Sequence, residues 1–211
     1  MIEHFFRHES GKLSSVLART YGLRNLADLE DIVQDSLLAA MLSWSFRGIP
    51  EYPTAWLYQV AKNKTVDMLH RRTAQSQRFV PLEPDLEIPG YEFDIEKIML
   101  AGEIADSQLR MMFACCHPGI SVSSQIALTL KTLCGFSVRE IANAFLTKEK
   151  TIEKRLGRAR TYFREHHVEL EAPVGTALNK RRGAVLASLY LLFNEGYMRT
   201  EGVNQRSSRA G

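Results

Sequence analysis

The chain has 211 residues, which is enough for two or three small modules but short for one large domain. Its formal net charge is only +3, yet the cations are grouped between Lys62 and Arg78 and again between Lys150 and Arg158, so we expect two basic surfaces that contact one extended polyanion. Three cysteines, no metal-ligand spacing and no apolar run of about 18 residues argue against a disulfide framework, a metal or other cofactor, and a membrane span, and they favour the cytoplasm.

Helical spacing dominates the sequence, because most apolar positions repeat every three or four residues and period-two alternation is nearly absent. We therefore predict an all-α protein. Proline, glycine and acidic residues accumulate between Ala74 and Asp94, in a stretch too polar to fold alone. This stretch predicts a flexible acidic linker that holds two helical modules at variable separation.

The first clearly amphipathic helix is predicted from Asp28 to Trp44. Its apolar side consists of Ile32, Val33, Leu37, Ala40, Met41 and Trp44. Its open side carries Asp31, Gln34, Asp35 and Leu38. Acidic residues near the start of a helix are stabilised by its dipole, which explains part of this pattern. Gln34 and Leu38 on the same open side suit a protein partner better than water.

A stiff loop follows from Gly48 to Pro53, and it leads into a helix that mixes aromatic residues with cations up to Arg72. Unpaired bases stack on aromatic rings, at roughly 1–3 kcal/mol per base, while cations follow the strand. Trp56 shares a helix face with Val60, so we expect it to be a core anchor. The loop is then the better candidate for holding a base.

The cysteines are predicted to be core residues. Adjacent side chains on a helix point about 100° apart, so Cys115, Cys116 and His117 make a poor metal clamp. Free cysteine behaves as a small apolar residue. We therefore expect Cys115, Cys116 and Cys134 to pack in the interior.

Two short helices joined by a tight turn are predicted between Phe136 and Arg160, the layout of a helix-turn-helix. Ser137 and Glu140 form a capping box at the start of the first helix, and Thr147 is predicted to cap the second. The packing side of the second helix consists of Ile152, Leu156, Ala159 and Phe163. The contact side, free to meet phosphates or base edges, consists of Lys150, Thr151, Lys154, Arg155 and Arg158.

A last apolar helix is predicted between Asn179 and Gly196. Its apolar face consists of Val185, Leu186, Leu189, Leu192 and Phe193. We expect this face to pack on one of the two preceding modules.

These segments together resemble a bacterial extracytoplasmic-function (ECF) sigma factor of the sigma-70 superfamily. DLEDIVQDSLLAAM resembles the family's polymerase-docking region, PTAWLYQVAKNKTVDMLHRR its region for melting and reading the −10 element, and EIANAFLTKEKTIEKRLGRAR its −35-reading helix-turn-helix. MMFACCHPGISVSSQIALTLKTLCGFS and LYLLFNEGY resemble segments of the subgroup with a C-terminal tetratricopeptide-like extension, which we expect to be truncated in this sequence.

The resemblance implies a role for each candidate residue. Contacts to polymerase would come from Asp31, Gln34, Asp35 and Leu38. Contacts to the −10 bases would come from Ile49, Glu51, Tyr52, Trp56, Gln59, Lys62, Asn63, Arg71 and Arg72. Contacts to the −35 duplex would come from Lys150, Thr151, Lys154, Arg155 and Arg158.

It also implies an organisation and a set of partners. The expected units are a sigma2-like domain (1–76), an acidic linker (77–95), a sigma4-like helix-turn-helix domain (96–168) and the start of an extension (169–211). The expected partners are promoter DNA and core RNA polymerase, through the clamp helices of its largest subunit and its beta flap. The free protein is expected to be a monomer, and an anti-sigma factor or self-inhibition by the extension stays open.

Two other classes remain as alternatives. A stand-alone regulator, dimeric through its N-terminal helices, would explain the basic helix-turn-helix but not the aromatic and cationic helix after Pro53. An enzyme acting on nucleic acid would need a carboxylate pair near His or Cys, a phosphate-binding glycine loop or metal-ligand spacing, and the sequence shows none of these. We therefore expect catalysis to belong to the polymerase.

Overall fold

The structure, a computed structural model, describes residues 2–76 and 101–207. A short 3₁₀ turn, Leu23–Asn25, separates the first two helices. The helices are α1 Ile2–Tyr21, α2 Leu26–Arg47, α3 Pro53–Ser76, α4 Ala101–Cys115, α5 Val122–Thr132, α6 Val138–Ala144, α7 Glu149–His166 and α8 Gly175–Ser207. Every regular element in these ranges is helical, which confirms the all-α prediction. The predicted linker, 77–95, lies outside the described residues.

The N-terminal half, α1 to α3, packs around long apolar side chains and one aromatic cluster. Leu13, Leu17 and Leu57 are fully buried. Trp44 meets Trp56 edge to face with ring centroids 5.6 Å apart, and the rings of Phe5 and Phe6 pack against it from α1. Tilted and edge-to-face aromatic pairs add to the stabilisation that burial alone provides. This cluster holds the end of α2 against the start of α3.

The predicted apolar side of α2 is correct except at Met41, which is 53% exposed. Met41 follows Gln34 by seven residues, so it lies on the open side of the helix and not on the packed one. Ala40 and Trp44 fill the packed side at that level. The sequence pattern places Met41 on the apolar side because the residue is hydrophobic, but its position around the helix decides its exposure.

The C-terminal half, α4 to α7, forms a second helical layer with the cysteines inside it. Cys115 and Cys116 are buried and Cys134 is half-buried, as predicted. Burial raises the pKa of the Cys134 thiol to about 12 and that of the Cys115 thiol well above its ordinary value. These thiols are neutral at physiological pH and act as packing groups.

The two halves share one continuous core, which differs from the predicted modules at variable separation. Helix α1 packs along α4, and a Cβ on Gly11 would overlap the carbonyl of Leu133. Polar contacts also cross this boundary, since Arg7 pairs with Glu140 at 3.0 Å and Arg19 pairs with Glu103. Composition indicates a linker between the halves, but complementary surfaces decide whether the halves touch.

The most buried of these cross-boundary contacts centres on Glu30 of α2. Its side chain is 6% exposed, it pairs with Arg160 of α7, and its Oε1 accepts a hydrogen bond from the Thr132 hydroxyl at 2.8 Å. A buried carboxylate needs such partners, because an unpaired charge in the interior is costly. Glu30 therefore ties the back of α7 to the N-terminal half.

Helix α8 packs on α4 and α5, but through a different face from the predicted one. Ala184 and Ser188 are buried, and Arg181 donates to the Phe113 carbonyl at 2.9 Å. The predicted face is mostly open. Its members Leu186, Leu189 and Phe193 are 57%, 43% and 72% exposed, Val185 is half-buried, and the Leu192 side chain lies outside the described residues. Small side chains let two helix backbones approach closely, so they form this contact in place of the larger ones.

No helix in the described part of the chain combines the length and apolarity that a membrane span requires. Within the same residues, no cluster of three or more His, Cys, Asp or Glu side chains is arranged to hold a metal ion.

Candidate nucleic-acid interface

The helix-turn-helix is formed by α6, a tight turn and α7. The predicted capping box at the start of α6 is confirmed, since the Glu140 amide donates to the Ser137 hydroxyl at 3.2 Å and the Ser137 amide donates to the Glu140 carboxylate at 2.8 Å. In the turn, Leu146 has φ +49° and is 95% exposed, and the Thr147 amide donates to the Ala142 carbonyl at 2.9 Å. These contacts fix how α7 leaves α6.

The prediction that Thr147 caps α7 is wrong. Lys148 occupies the N-cap position, and it makes no side-chain capping bond. The backbone of Thr147 closes the turn, so the helix begins one residue later than the residue type suggests. Residue preference for the N-cap is a local signal, and here the geometry of the turn overrides it.

Helix α7 has the two faces that the sequence predicted. The packing side is buried and consists of Ile152, Leu156, Ala159 and Phe163. On the other faces, Lys150, Lys154 and Arg158 are exposed, and Thr151 and Arg155 are half-buried. The Arg155 guanidinium lies 5.2 Å from the centre of the Phe145 ring, a cation–π contact that holds it at the surface of the turn. Hydrophobic packing behind the helix therefore presents a row of cations to solvent.

The predicted polymerase-facing residues also share one surface. Asp31, Gln34, Asp35 and Leu38 are all exposed on α2. The exposed stripe continues past Leu38 through Leu42 at 58% and Phe46 at 88%. The sequence reasoning missed Leu42 and Phe46, although their spacing of four residues from Leu38 onward was a signal that could have identified them.

The loop between α2 and α3 presents apolar and aromatic side chains to solvent. Ile49 is 59% exposed, Tyr52 is 69% exposed and Glu51 is exposed beside them. Gly48 has φ +78°, a conformation that glycine adopts without strain, and its amide closes the end of α2 by donating to the Trp44 carbonyl. The side chains of the loop are therefore accessible to a ligand. Trp56, in contrast, is half-buried against Trp44, as expected for a core anchor.

The cations on α3 are held more firmly than those on α7. Arg72 donates to the Asn25 and Asp28 side chains, at 2.6 Å in both cases, and the Arg71 Nε donates to the Asp67 carbonyl at 3.2 Å. Sequence reasoning missed Asn25 and Asp28, because nothing local to Arg72 indicates partners more than 40 residues away. Arg72 thus has a structural role whether or not it also binds DNA.

The remaining predicted −10 residues of α3 lie on the same helix. The Gln59 amide donates to the Asn63 side-chain oxygen at 2.9 Å, and both residues are exposed. Lys62 is half-buried. A shallow cleft of about 270 Å³ between α2 and α3 brings Arg71 and Arg72 beside the acidic side chains of Asp31 and Asp35. The predicted −10 and polymerase sets therefore meet along one groove.

Comparison with known proteins identifies two domains in this chain. The family described as Sigma-70 region 2 matches residues 5–75, and the family described as Sigma-70, region 4 matches residues 110–162. The second match includes the helix-turn-helix, and the first includes α2, the loop and most of α3. No significant match to a solved structure was found.

Similar proteins come from several bacteria. The chain is 33% identical over 179 residues to an uncharacterised protein of Rhizobium meliloti, and the match covers 85% of this chain but 42% of that relative. It is 27% identical over 157 residues to the RNA polymerase sigma factor NccH of Alcaligenes xylosoxydans xylosoxydans, covering 71% of this chain and 78% of the relative.

It is also 32% identical over 160 residues to the ECF RNA polymerase sigma-E factor of Haemophilus influenzae, again covering 71% of this chain and 78% of the relative. These matches do not favour a stand-alone dimeric regulator, since both domain types occur in order on one chain. The chain belongs to the extracytoplasmic-function group of sigma-70 family transcription initiation factors.

Proposed function

We propose that this protein binds core RNA polymerase and directs it to promoters, with α7 on the −35 duplex and the loop after α2 on unpaired −10 bases. The observation that carries the proposal is the sorting of α7. Its apolar side is buried against the helical layer, and Lys150, Lys154 and Arg158 face solvent in the part of the chain related to Sigma-70 region 4. A helix supported in this way can enter a DNA groove without unfolding.

The −35 contacts are assigned to the contact side of α7, namely Lys150, Thr151, Lys154, Arg155 and Arg158. Phosphate contacts set the position of the helix, and the few side chains that reach base edges set the sequence preference. Glu149 and Glu153 lie among these cations, so the surface repels a poorly placed duplex as well as attracting a well-placed one.

The −10 contacts are assigned to the exposed loop residues Ile49, Glu51 and Tyr52, supported by the polar and cationic residues of α3. A base that leaves the duplex loses its stacking partners, and an exposed aromatic ring replaces part of that energy. Such a loop favours the open promoter only by the difference between its affinities for unpaired and paired DNA. Catalysis of RNA synthesis belongs to the polymerase.

The open side of α2, with Asp31, Gln34, Asp35 and Leu38, is assigned to the clamp helices of the largest polymerase subunit. The helix-turn-helix domain is assigned to the beta flap. The protein is expected to act as a monomer in the cytoplasm, and α8 is expected to begin a C-terminal extension. Regulation by an anti-sigma factor or by that extension belongs to the same proposal.

The experiment is transcription by core polymerase from a pool of promoter fragments, with and without this protein, followed by sequencing of the transcripts. New transcription starts downstream of one shared pair of elements are the expected result. Duplex binding without new starts would contradict the proposal and favour a regulator that acts without joining the polymerase.

A further inference from the structure

A second wall of the helix-turn-helix domain faces the contact side of α7. The segment from Gly119 to Ser124, which leads into α5, forms with α7 a cleft of about 740 Å³. Three cations of α7 line it, namely Lys154, Arg155 and Arg158. Three hydroxyl groups line the opposite wall, those of Ser121, Ser123 and Ser124. None of the described residues that line the cleft is acidic.

A cleft of about 740 Å³ is large enough to admit a phosphodiester group together with parts of its flanking sugars.

Two of the three cations in this cleft are available to a ligand, whereas Arg155 also contacts the Phe145 ring. Among the described residues, Lys154 and Arg158 form no ion pair, and the buried Nη1 of Arg155 has no hydrogen-bond partner. Arg160, on the back of the same helix, is instead paired with Glu30. Charge that the fold leaves unpaired on one side of a cleft favours an anionic ligand there.

The opposite wall is held in place against α7. Gly119 lies so close to Tyr162 that a Cβ would overlap the phenol ring, and the Tyr162 ring stacks on His166 with centroids 3.9 Å apart. The Gln125 amide donates to the carbonyls of His117 and Ile120, at 2.8 and 2.9 Å. The cleft therefore exists before any ligand binds, which lowers the entropic cost of binding.

Ser123 is the hydroxyl group most available to a ligand. Ser121 caps α5 by accepting from the Ser124 amide at 3.4 Å, and its own hydroxyl donates to the Ser124 hydroxyl at 2.9 Å. The Ser123 hydroxyl has only a long contact of 3.3 Å with Ser121 among the hydrogen bonds of the described residues. It can turn to donate to an oxygen placed between it and the cations of α7.

We propose that this cleft binds one backbone phosphate of the promoter duplex, so that the −35 contact surface extends from α7 onto the start of α5. The inference rests on the proposed function. A phosphodiester offers acceptor oxygens and a negative charge, which match the Ser123 hydroxyl and the Lys154 and Arg158 cations. This contact positions the duplex and carries no base preference of its own.

The test compares Ser123→Asp with Val122→Asp in the full chain bound to core polymerase. Both changes add one carboxylate to the first turn of α5, where the helix dipole favours it, but Val122 is 59% exposed and does not line the cleft. With a promoter fragment recovered from the transcription pool, we expect Ser123→Asp to weaken binding about ten-fold relative to Val122→Asp, and to flatten the salt dependence by about one counterion. Equal affinities for the two variants would overturn the cleft proposal.

A second readout uses promoter fragments in which single phosphates are replaced by uncharged methylphosphonates. One replacement should weaken binding by the wild type and by Val122→Asp but not by Ser123→Asp, and Ser123→Ala should show an intermediate response. If no replacement behaves in this way, the proposal is wrong even where a variant is destabilised.

Two further outcomes separate this inference from its alternatives. Wild-type protein that initiates no transcription would overturn the proposed function and this inference with it, whereas normal transcription with equal variants overturns the inference alone. Inorganic phosphate titrated into the free protein tests a small-anion site. If Ser123→Asp abolishes phosphate binding but leaves promoter affinity unchanged, the cleft has no role in DNA binding and the proposal is contradicted.

Discussion

Helices α7 and α3 both carry cations predicted to contact DNA, but the fold treats the two sets differently. On α7, Lys154 and Arg158 point away from the core without an ion pair among the described residues. On α3, Arg72 is bound to Asn25 and Asp28 of the preceding turn and helix. Lys154 and Arg158 of α7 are available to a ligand, whereas Arg72 of α3 helps to join α2 to α3 through its side-chain contacts.

A comparison within α7 gives the same lesson. Arg158 is exposed beside the cleft, whereas Arg160, two residues later, is paired with the buried Glu30. Two residues correspond to about 200° around a helix, so neighbouring arginines can serve opposite purposes. A basic segment therefore has to be divided by face before any of its residues is assigned to DNA.

The largest expected effect is on duplex binding by the double variant Lys154→Ala/Arg158→Ala. Each lost contact to DNA costs roughly 1–3 kcal/mol, so we expect promoter affinity to fall by about 100-fold while the melting temperature stays unchanged. Fluorescence anisotropy with the polymerase complex and calorimetry measure the two quantities. The control is Lys180→Ala/Arg182→Ala, which removes the same charge from exposed positions on α8. An equal loss in the control would show that only net charge matters.

The next effect concerns Glu30→Ala, which tests the structural side of α7. Removing this carboxylate leaves Arg160 and the Thr132 hydroxyl without their buried partner, so we expect a loss of about 2–3 kcal/mol in the free energy of unfolding. Urea unfolding measures it. The promoter affinity of the folded fraction should stay near that of the wild type. A decrease of less than about 0.5 kcal/mol in the free energy of unfolding would contradict the structural assignment.

A smaller effect is expected for Asp35→Ala on the open side of α2. Its carboxylate makes only a long contact of 3.9 Å with Lys64, so it is available to a partner. We expect polymerase affinity to fall about ten-fold, with stability and DNA contacts preserved, as for the loss of one polar interface contact. Asp67→Ala, an exposed change on α3, is the matched control. Unchanged polymerase affinity for Asp35→Ala would remove this residue from the docking surface.

The smallest effect is expected for Arg72→Ala, because its pair with Asp28 is well exposed. The side chains are 44% and 38% exposed, and such pairs contribute roughly 0.2–1 kcal/mol. We expect a decrease of that size in unfolding free energy, reduced further at high salt. If Arg72→Ala leaves stability unchanged and weakens promoter opening instead, Arg72 belongs with the open cations of α7 and the contrast between the helices is weaker than we infer.

Most of the candidate site could be predicted because its signals are local. The capping box at Ser137, the buried side of α7 and the exposed residues of α2 follow from spacings of three and four residues. The errors occurred where residue type was used without the geometry of the turn or of the helix face. The geometry of the turn places Lys148, not Thr147, at the N-cap of α7. Met41 was assigned to the buried side of α2 because it is hydrophobic, and the packing face of α8 was assigned by its largest side chains.

The amino-acid sequence by itself determined that this protein is helical, that a helix-turn-helix lies in its C-terminal half and that α7 has a packed and an open side. Only the tertiary structure decided which cations are free, because Glu30 reaches Arg160 and Asp28 reaches Arg72 across long separations along the chain. It also placed the serines at the start of α5 opposite Lys154 and Arg158. Periodicity along one helix records which side faces inward, but the partner on that side belongs to another part of the chain and appears only when the helices pack.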